Sequence, residues 1–269
     1  MRTRQKNLRR TVDIGMTVLL LLQMAYQATG EAAHEWLGMG MTALVIIHQI
    51  INRRWYASTF KGRYTAYRAV SACLNAMLIV SFALTALCGM AMSNYAVPFL
   101  YGVVRVSLVR MAHLSMSHWS FVLMGLHLGL HVSAMLQGLK EKVRRALSAA
   151  CAAVAGVGLY LFLRNSMPDY LFFRVPFAFL DYEKAGALVL LENVAMLLFW
   201  AFMGWQAAVA LRGRERRWVS VALMIVAVII GMALNAALPN REEAPFSSGW
   251  SAAVPRAGME TIYTQRSLS

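Results

Sequence analysis

Six histidines carry the clearest chemistry in this chain, and all six fall on two apolar stretches. Residues 34–51, HEWLGMGMTALVIIHQII, hold His34 and His48, and residues 113–131, HLSMSHWSFVLMGLHLGLH, hold His113, His118, His127 and His131. Ionisable side chains on an apolar helix are costly in a bilayer, so they mark cofactor, ion or proton sites. A helix turns by about 100° and rises about 1.5 Å per residue. Fourteen residues therefore bring a side chain back to within about 40° of the same face, about 21 Å further along the axis. His34 and His48 have that spacing, and so do His113 and His127. Side by side and running the same way, the two helices place His34 level with His113 and His48 level with His127. Two facing imidazole pairs, one near each side of a membrane, are the axial ligand set of two six-coordinate haems.

The other two histidines rank lower by the same geometry. His118 is about 140° from His113 and points to a different face. His131 is almost in phase with His113 but about 27 Å along the axis, which makes it the runner-up to His127 as inner ligand. Gly125 and Gly129 flank His127, and Gly38 follows His34 by one turn. Each glycine has two readings: close helix packing through small residues, or room for a flat macrocycle. Arg53, Arg54 and Lys61 follow the second stretch and are placed to pair with haem propionates, although membrane topology alone accounts for them. Glu192, next to Asn193, stands in a later apolar run as a candidate proton acceptor or part of a quinol pocket, or as a glutamate bonded to a neighbouring helix. Asp169, Asp181 and Glu183 make a nearby loop acidic.

The elements that position these residues follow from composition. Of 269 residues, 59% are hydrophobic and 14% charged. Several runs reach the ~20 apolar residues a helix needs to cross the hydrocarbon core. The sequence predicts an all-α, polytopic transmembrane bundle of about seven spans, near 12–29, 34–51, 69–92, 111–136, 146–163, 185–211 and 219–238. Residues 1–211 form the helical domain, 212–238 an additional transmembrane helix, and 239–269 a polar, flexible extracytoplasmic tail. The basic leader 1–10 and the first span resemble a signal peptide, but no A-x-A site follows, so the span is expected to be a retained anchor. Pro168 and Pro176 rule out a regular span over 164–184, where the aromatics suit an interface.

The net charge of +14 is not a nucleic-acid signature. Of the 26 Lys and Arg, 18 fall in the leader and in segments 53–68, 140–145 and 212–217, which alternate along the chain. That asymmetry places the amino terminus in the cytoplasm and the carboxyl terminus outside the cytoplasmic membrane. No soluble segment interleaves basic and stacking residues. Cys73, Cys88 and Cys151 lie in apolar runs with no CxxC or CxxCH spacing, which excludes the usual zinc, thioredoxin-like and c-type haem motifs.

HEWLGMGMTALVIIHQIINRRWY, FKGRY and HLSMSHWSFVLMGLHLGLH resemble the membrane family called domain of unknown function 4405, whose members look like b-type cytochromes related to flavinylation-associated cytochromes. FAFLDYEKAGALVLLENVAM resembles its longer members, and the likeness covers about residues 10–210. The resemblance implies a four-helix core with two bis-histidine haems b, ligated by His34, His48, His113 and His127, with His131 on the matching segment. It also implies electron transfer across the membrane, from a quinol or redox partner to an outer acceptor such as a flavoprotein. The chain would then be a membrane subunit of an oxidoreductase, surrounded by lipid. Two other readings use the same residues: a transition-metal or proton transporter, and a non-haem scaffold for a redox partner.

Overall fold

The computed structural model describes residues 2–59, 61–213 and 217–238. The expected tail, 239–269, lies outside the described residues. Ten α-helices follow one another: α1 (Arg2–Met24), α2 (Tyr26–Thr29), α3 (Glu31–Ile51), α4 (Arg54–Thr59), α5 (Ala66–Ala91), α6 (Val106–Met135), α7 (Glu141–Arg164), α8 (Met167–Leu171), α9 (Gly186–Arg212) and α10 (Arg217–Ala237). No strand occurs among the described residues. An apolar solvent leaves few other options, because a helix satisfies its own backbone hydrogen bonds.

Four helices are long and apolar enough to cross a membrane: α5, α7, α9 and α10. The protein is therefore an all-helical membrane protein. Three more helices, α1, α3 and α6, have 23, 21 and 30 residues but do not reach that combination of apolarity and low charge. They are the helices that carry Asp13 and all six histidines. The basic leader is not a separate segment, because residues 2–10 are the first turns of α1.

Local signals set the turns. Thr65 caps α5 by accepting a hydrogen bond from the Arg68 amide at 3.3 Å. Gly30, at φ +74°, lets the chain reverse between α2 and α3 in a conformation that other residues resist. Pro168 sits in the first turn of the short helix α8, where its missing N–H costs nothing.

Helix α9 is the central post. It packs along α6, α7 and α10 and touches α1, α2 and α5. Its buried face includes Asn193, Met196, Phe199, Phe202, Trp205 and Gln206. Small residues bring its neighbours close. A Cβ on Gly158 of α7 would overlap the Ala195 carbonyl of α9, and a Cβ on Gly204 of α9 would overlap the Leu126 carbonyl of α6. Association in lipid gains little from hydrophobicity, so close backbone approach is its main source of stability.

The amino-terminal half is built differently. Helix α3 packs along α1 and meets α5, while α6 packs along α5 and α9. Helices α3 and α6 do not pack along one another. They meet through their histidines.

The two ends of the bundle differ. One carries the connections 52–65 and 136–140 and is rich in Lys and Arg; it is called here the basic end. The other carries exposed Phe99, Tyr101, Phe172, Phe173, Phe179 and Tyr182 and is called the aromatic end.

Candidate functional site

At the aromatic end, the rings of His34 on α3 and His113 on α6 meet edge to face, with centroids 6.2 Å apart and planes at 74°. The His113 Nδ1–H donates to the Thr85 carbonyl of α5 at 2.9 Å. A carbonyl only accepts, so that bond makes Nδ1 the protonated nitrogen and leaves the Nε2 lone pair free. Gly89, one turn beyond Thr85, makes room for the ring: a Cβ there would lie 3.1 Å from His113 Cε1. His34 meets Tyr26 edge-on at 5.1 Å, and its buried Nδ1 has no hydrogen-bond partner. Gln23 of α1 lies against Gly38, where a Cβ would stand 2.8 Å from Nε2, and the buried Oε1 of Gln23 is likewise without a partner.

The loop beyond this pair is gripped by one carboxylate. Glu35 accepts from Ser93 Oγ at 2.6 Å and from the Asn94, Tyr95 and Ala96 amides at 2.8, 2.8 and 2.9 Å. Asn94 Nδ2 also donates to Glu31 at 2.7 Å. These bonds tie the start of α3 to the end of α5.

At the basic end, His48 lies within electrostatic reach of His127 and His131. His48 Nδ1 meets Asp13 Oδ1 of α1 at 2.9 Å, and His127 Nδ1 meets Asn75 Oδ1 of α5 at 2.8 Å. Both acceptors again direct Nε2 away from the bond. The Asn52 side chain closes the end of α3 by donating to the His48 carbonyl at 3.0 Å. The His127 and His131 rings pack edge-on at 4.6 Å. His131 is exposed, whereas His127 is part-buried and tied to Asn75. Among the described residues, no group of three or more His, Cys, Asp and Glu side chains is assembled as a metal site.

His34 and His113 meet, as two level helices would require, and His48 lies within electrostatic reach of His127. His118 points elsewhere, as its phase requires. It donates from Nδ1 to the Leu114 carbonyl at 2.7 Å and stacks on Tyr170 at 4.5 Å.

The glycines divide. Gly125 and Gly129 face α9, where a Cβ on Gly129 would overlap the Ala201 carbonyl and one on Gly125 would lie 2.5 Å from Trp200 Cβ. Their role here is close helix packing, and no open space lies beside them for a macrocycle. Arg53 and Arg54 are exposed just past α3. Glu192 is bound to Lys184 in an ion pair and accepts from Asn165 Nδ2 at 3.2 Å, which is the neighbour-bonded arrangement rather than an open carboxylate.

Sequence reasoning missed the groups that orient the imidazoles. Asp13 and Asn75 were findable, Asp13 as the acidic residue that opens the apolar part of α1 and Asn75 as an amide within the apolar run of α5. Thr85 acts through its backbone carbonyl, which no side-chain pattern reveals. For one pair the ring separation can be compared with axial ligation. Two imidazoles on one six-coordinate iron, each about 2 Å from the metal, have centroids about 6 Å apart, and the aromatic-end pair stands at 6.2 Å. No family model, curated protein or solved structure matches the chain.

Proposed function

We propose that the chain is a di-haem b-type cytochrome of the cytoplasmic membrane. In this reading α1, α3, α5, α6, α7, α9 and α10 are seven spans, with the amino terminus in the cytoplasm and the basic end inside. His34 and His113 hold the outer haem, and His48 and His127 hold the inner one. The observation that carries the reading is the aromatic-end pair: two imidazoles at axial-ligand separation on helices that otherwise stand apart. The resemblance of the histidine stretches to cytochrome-like membrane proteins supports it.

Haem, when bound, supplies one-electron chemistry at each end of the bundle. The protein's own part is to hold and tune. Asp13, Asn75 and Thr85 each accept from an Nδ1–H and fix the ring orientation, which leaves Nε2 as the nitrogen to bind iron; at His48 the Asn52 amide, 3.4 Å from Nε2, would have to turn aside. Gly89 leaves the His113 ring its place. Arg53 and Arg54, exposed just past α3, would pair with anionic propionates at the basic end. Electrons pass from a quinol or redox protein inside to an acceptor outside, such as a flavoprotein.

A pyridine haemochrome assay on protein purified from haem-replete cells tests this reading. The expected result is close to two haems b per chain with a Soret band; a folded, colourless preparation overturns it. The transporter alternative draws on the histidines and Asp13 of the less apolar helices α1, α3 and α6, and bound zinc or copper without haem would favour it. The scaffold alternative requires His48→Ala and His127→Ala to leave the optical spectrum unchanged.

A further inference from the structure

A cleft of about 270 Å³ opens at the basic end, between α4, the start of α5 and the end of α6. Trp55, Ser58, Thr59, Tyr67, Ser71 and His131 line it. Ligand pockets for drug-sized molecules run from about 300 to 1,000 Å³, so this cleft takes one ring system rather than a dinucleotide.

Its walls combine two aromatic rings with hydroxyls, and Arg68 lines it as well. The Arg68 guanidinium at its wall is turned to backbone carbonyls: Nη2 donates to those of Ser58, Thr59 and Lys61, and Nη1 to that of Arg63 at 3.4 Å. Arg212 lies over the Tyr67 ring at 3.7 Å. Arg68 and Arg212 are therefore both engaged. The Ser58 and Thr59 hydroxyls each donate to the Trp55 carbonyl at 2.8 Å, so what they offer the cleft is lone pairs. His131 is the imidazole that the cleft exposes. The rings of His48, His113, His118 and His127 are all hydrogen-bonded, while His131 is exposed to the cleft and packs edge-on against His127 at 4.6 Å.

We infer that this cleft binds the headgroup of a membrane quinone or hydroquinone, with Trp55 and Tyr67 against the ring faces and His131 hydrogen-bonded to one ring oxygen. A quinone headgroup is a neutral, flat ring with an oxygen at each end, and its apolar tail suits a cleft at the end of a membrane bundle. Binding stands on the cleft alone. Its use for delivering electrons to the neighbouring His127 rests on the di-haem reading.

The test uses full-length protein in detergent and follows quenching of tryptophan fluorescence by a short-tailed benzoquinone and a short-tailed naphthoquinone. The expected result is saturable quenching by at least one of them, lost in Trp55→Phe. His131→Leu should weaken binding at least tenfold, and Ala72→Trp, which fills the cleft from its α5 wall, should abolish it. Circular dichroism and thermal melting of the variants show whether the fold is intact. Non-saturable quenching, or quenching equal in folded wild-type, His131→Leu and Ala72→Trp proteins, overturns the inference. So does displacement of the quinone by short-chain anionic phospholipid with the same sensitivity to both variants, which would assign the cleft to a lipid headgroup. Saturable quinone binding to a colourless protein would keep this site and refute the haems; two haems without saturable quenching would do the reverse.

Discussion

The two ends of the α3–α6 gap hold histidines in different ways. At the aromatic end, His113 donates to a backbone carbonyl and His34 Nδ1 has no partner. At the basic end, His48 meets a carboxylate and His127 a side-chain amide, and a third histidine stands beside them at the cleft. One end is held by backbone and locked by Glu35. The other is held by side chains and is partly open, with Asp13 54% exposed. The same 14-residue spacing thus builds two sites of unlike charge and access. Periodicity fixes height, whereas the hydrogen-bond partners decide character.

The comparison breaks most visibly by deleting one ligand at each end. His113→Ala should remove about half the haem measured by pyridine haemochrome, leaving the basic-end centre in place. An unchanged haem content would remove the aromatic-end pair from the proposal. At the basic end the discrimination is between neighbours. His127→Ala should also lose about one haem, while His131→Ala should keep both and retain the spectrum. The opposite pattern would make His131 the ligand.

Asp13→Asn sharpens the difference in charge. A carboxylate accepting from Nδ1–H makes the imidazole a stronger donor and favours the oxidised iron. Its loss should raise the midpoint potential of one centre only, by an amount on the order of 60 mV for each tenfold change in relative affinity. A redox titration that moves both centres equally, or neither, would contradict this. The smallest effect is expected at Glu35. Its carboxylate receives four hydrogen bonds, but at the periphery of the bundle. Glu35→Ala should cost about 1–3 kcal/mol and speed proteolysis within 93–97, with haem content unchanged.

Much of the helical plan was legible because apolar runs of this length have one economical backbone solution. Seven helices of 21 or more residues stand where the sequence predicts spans, and four of them reach full membrane apolarity. The pairing of His34 with His113 was legible from spacing alone. The character of the site was not. Gly125 and Gly129 had two readings until α9 was seen against them, because what a glycine admits depends on a helix about 70 residues away in sequence. The central position of α9 was hidden for a related reason: a helix apolar all round shows no face from which to infer its neighbours.

The Asp13–His48 bond joins residues 35 apart within one helical hairpin. During synthesis it can form as soon as α3 is complete. His34 meets Tyr26 edge-on within the same hairpin, and the imidazole that pairs with it, His113, is made about 80 residues later. At about 5–20 residues per second, that is a delay of about 4–16 s. His127 follows His48 by the same interval, so each pair waits for α6. Because α6 is made from His113 toward His127, the aromatic-end pair is the first to be complete, while at the basic end Asp13 already holds His48.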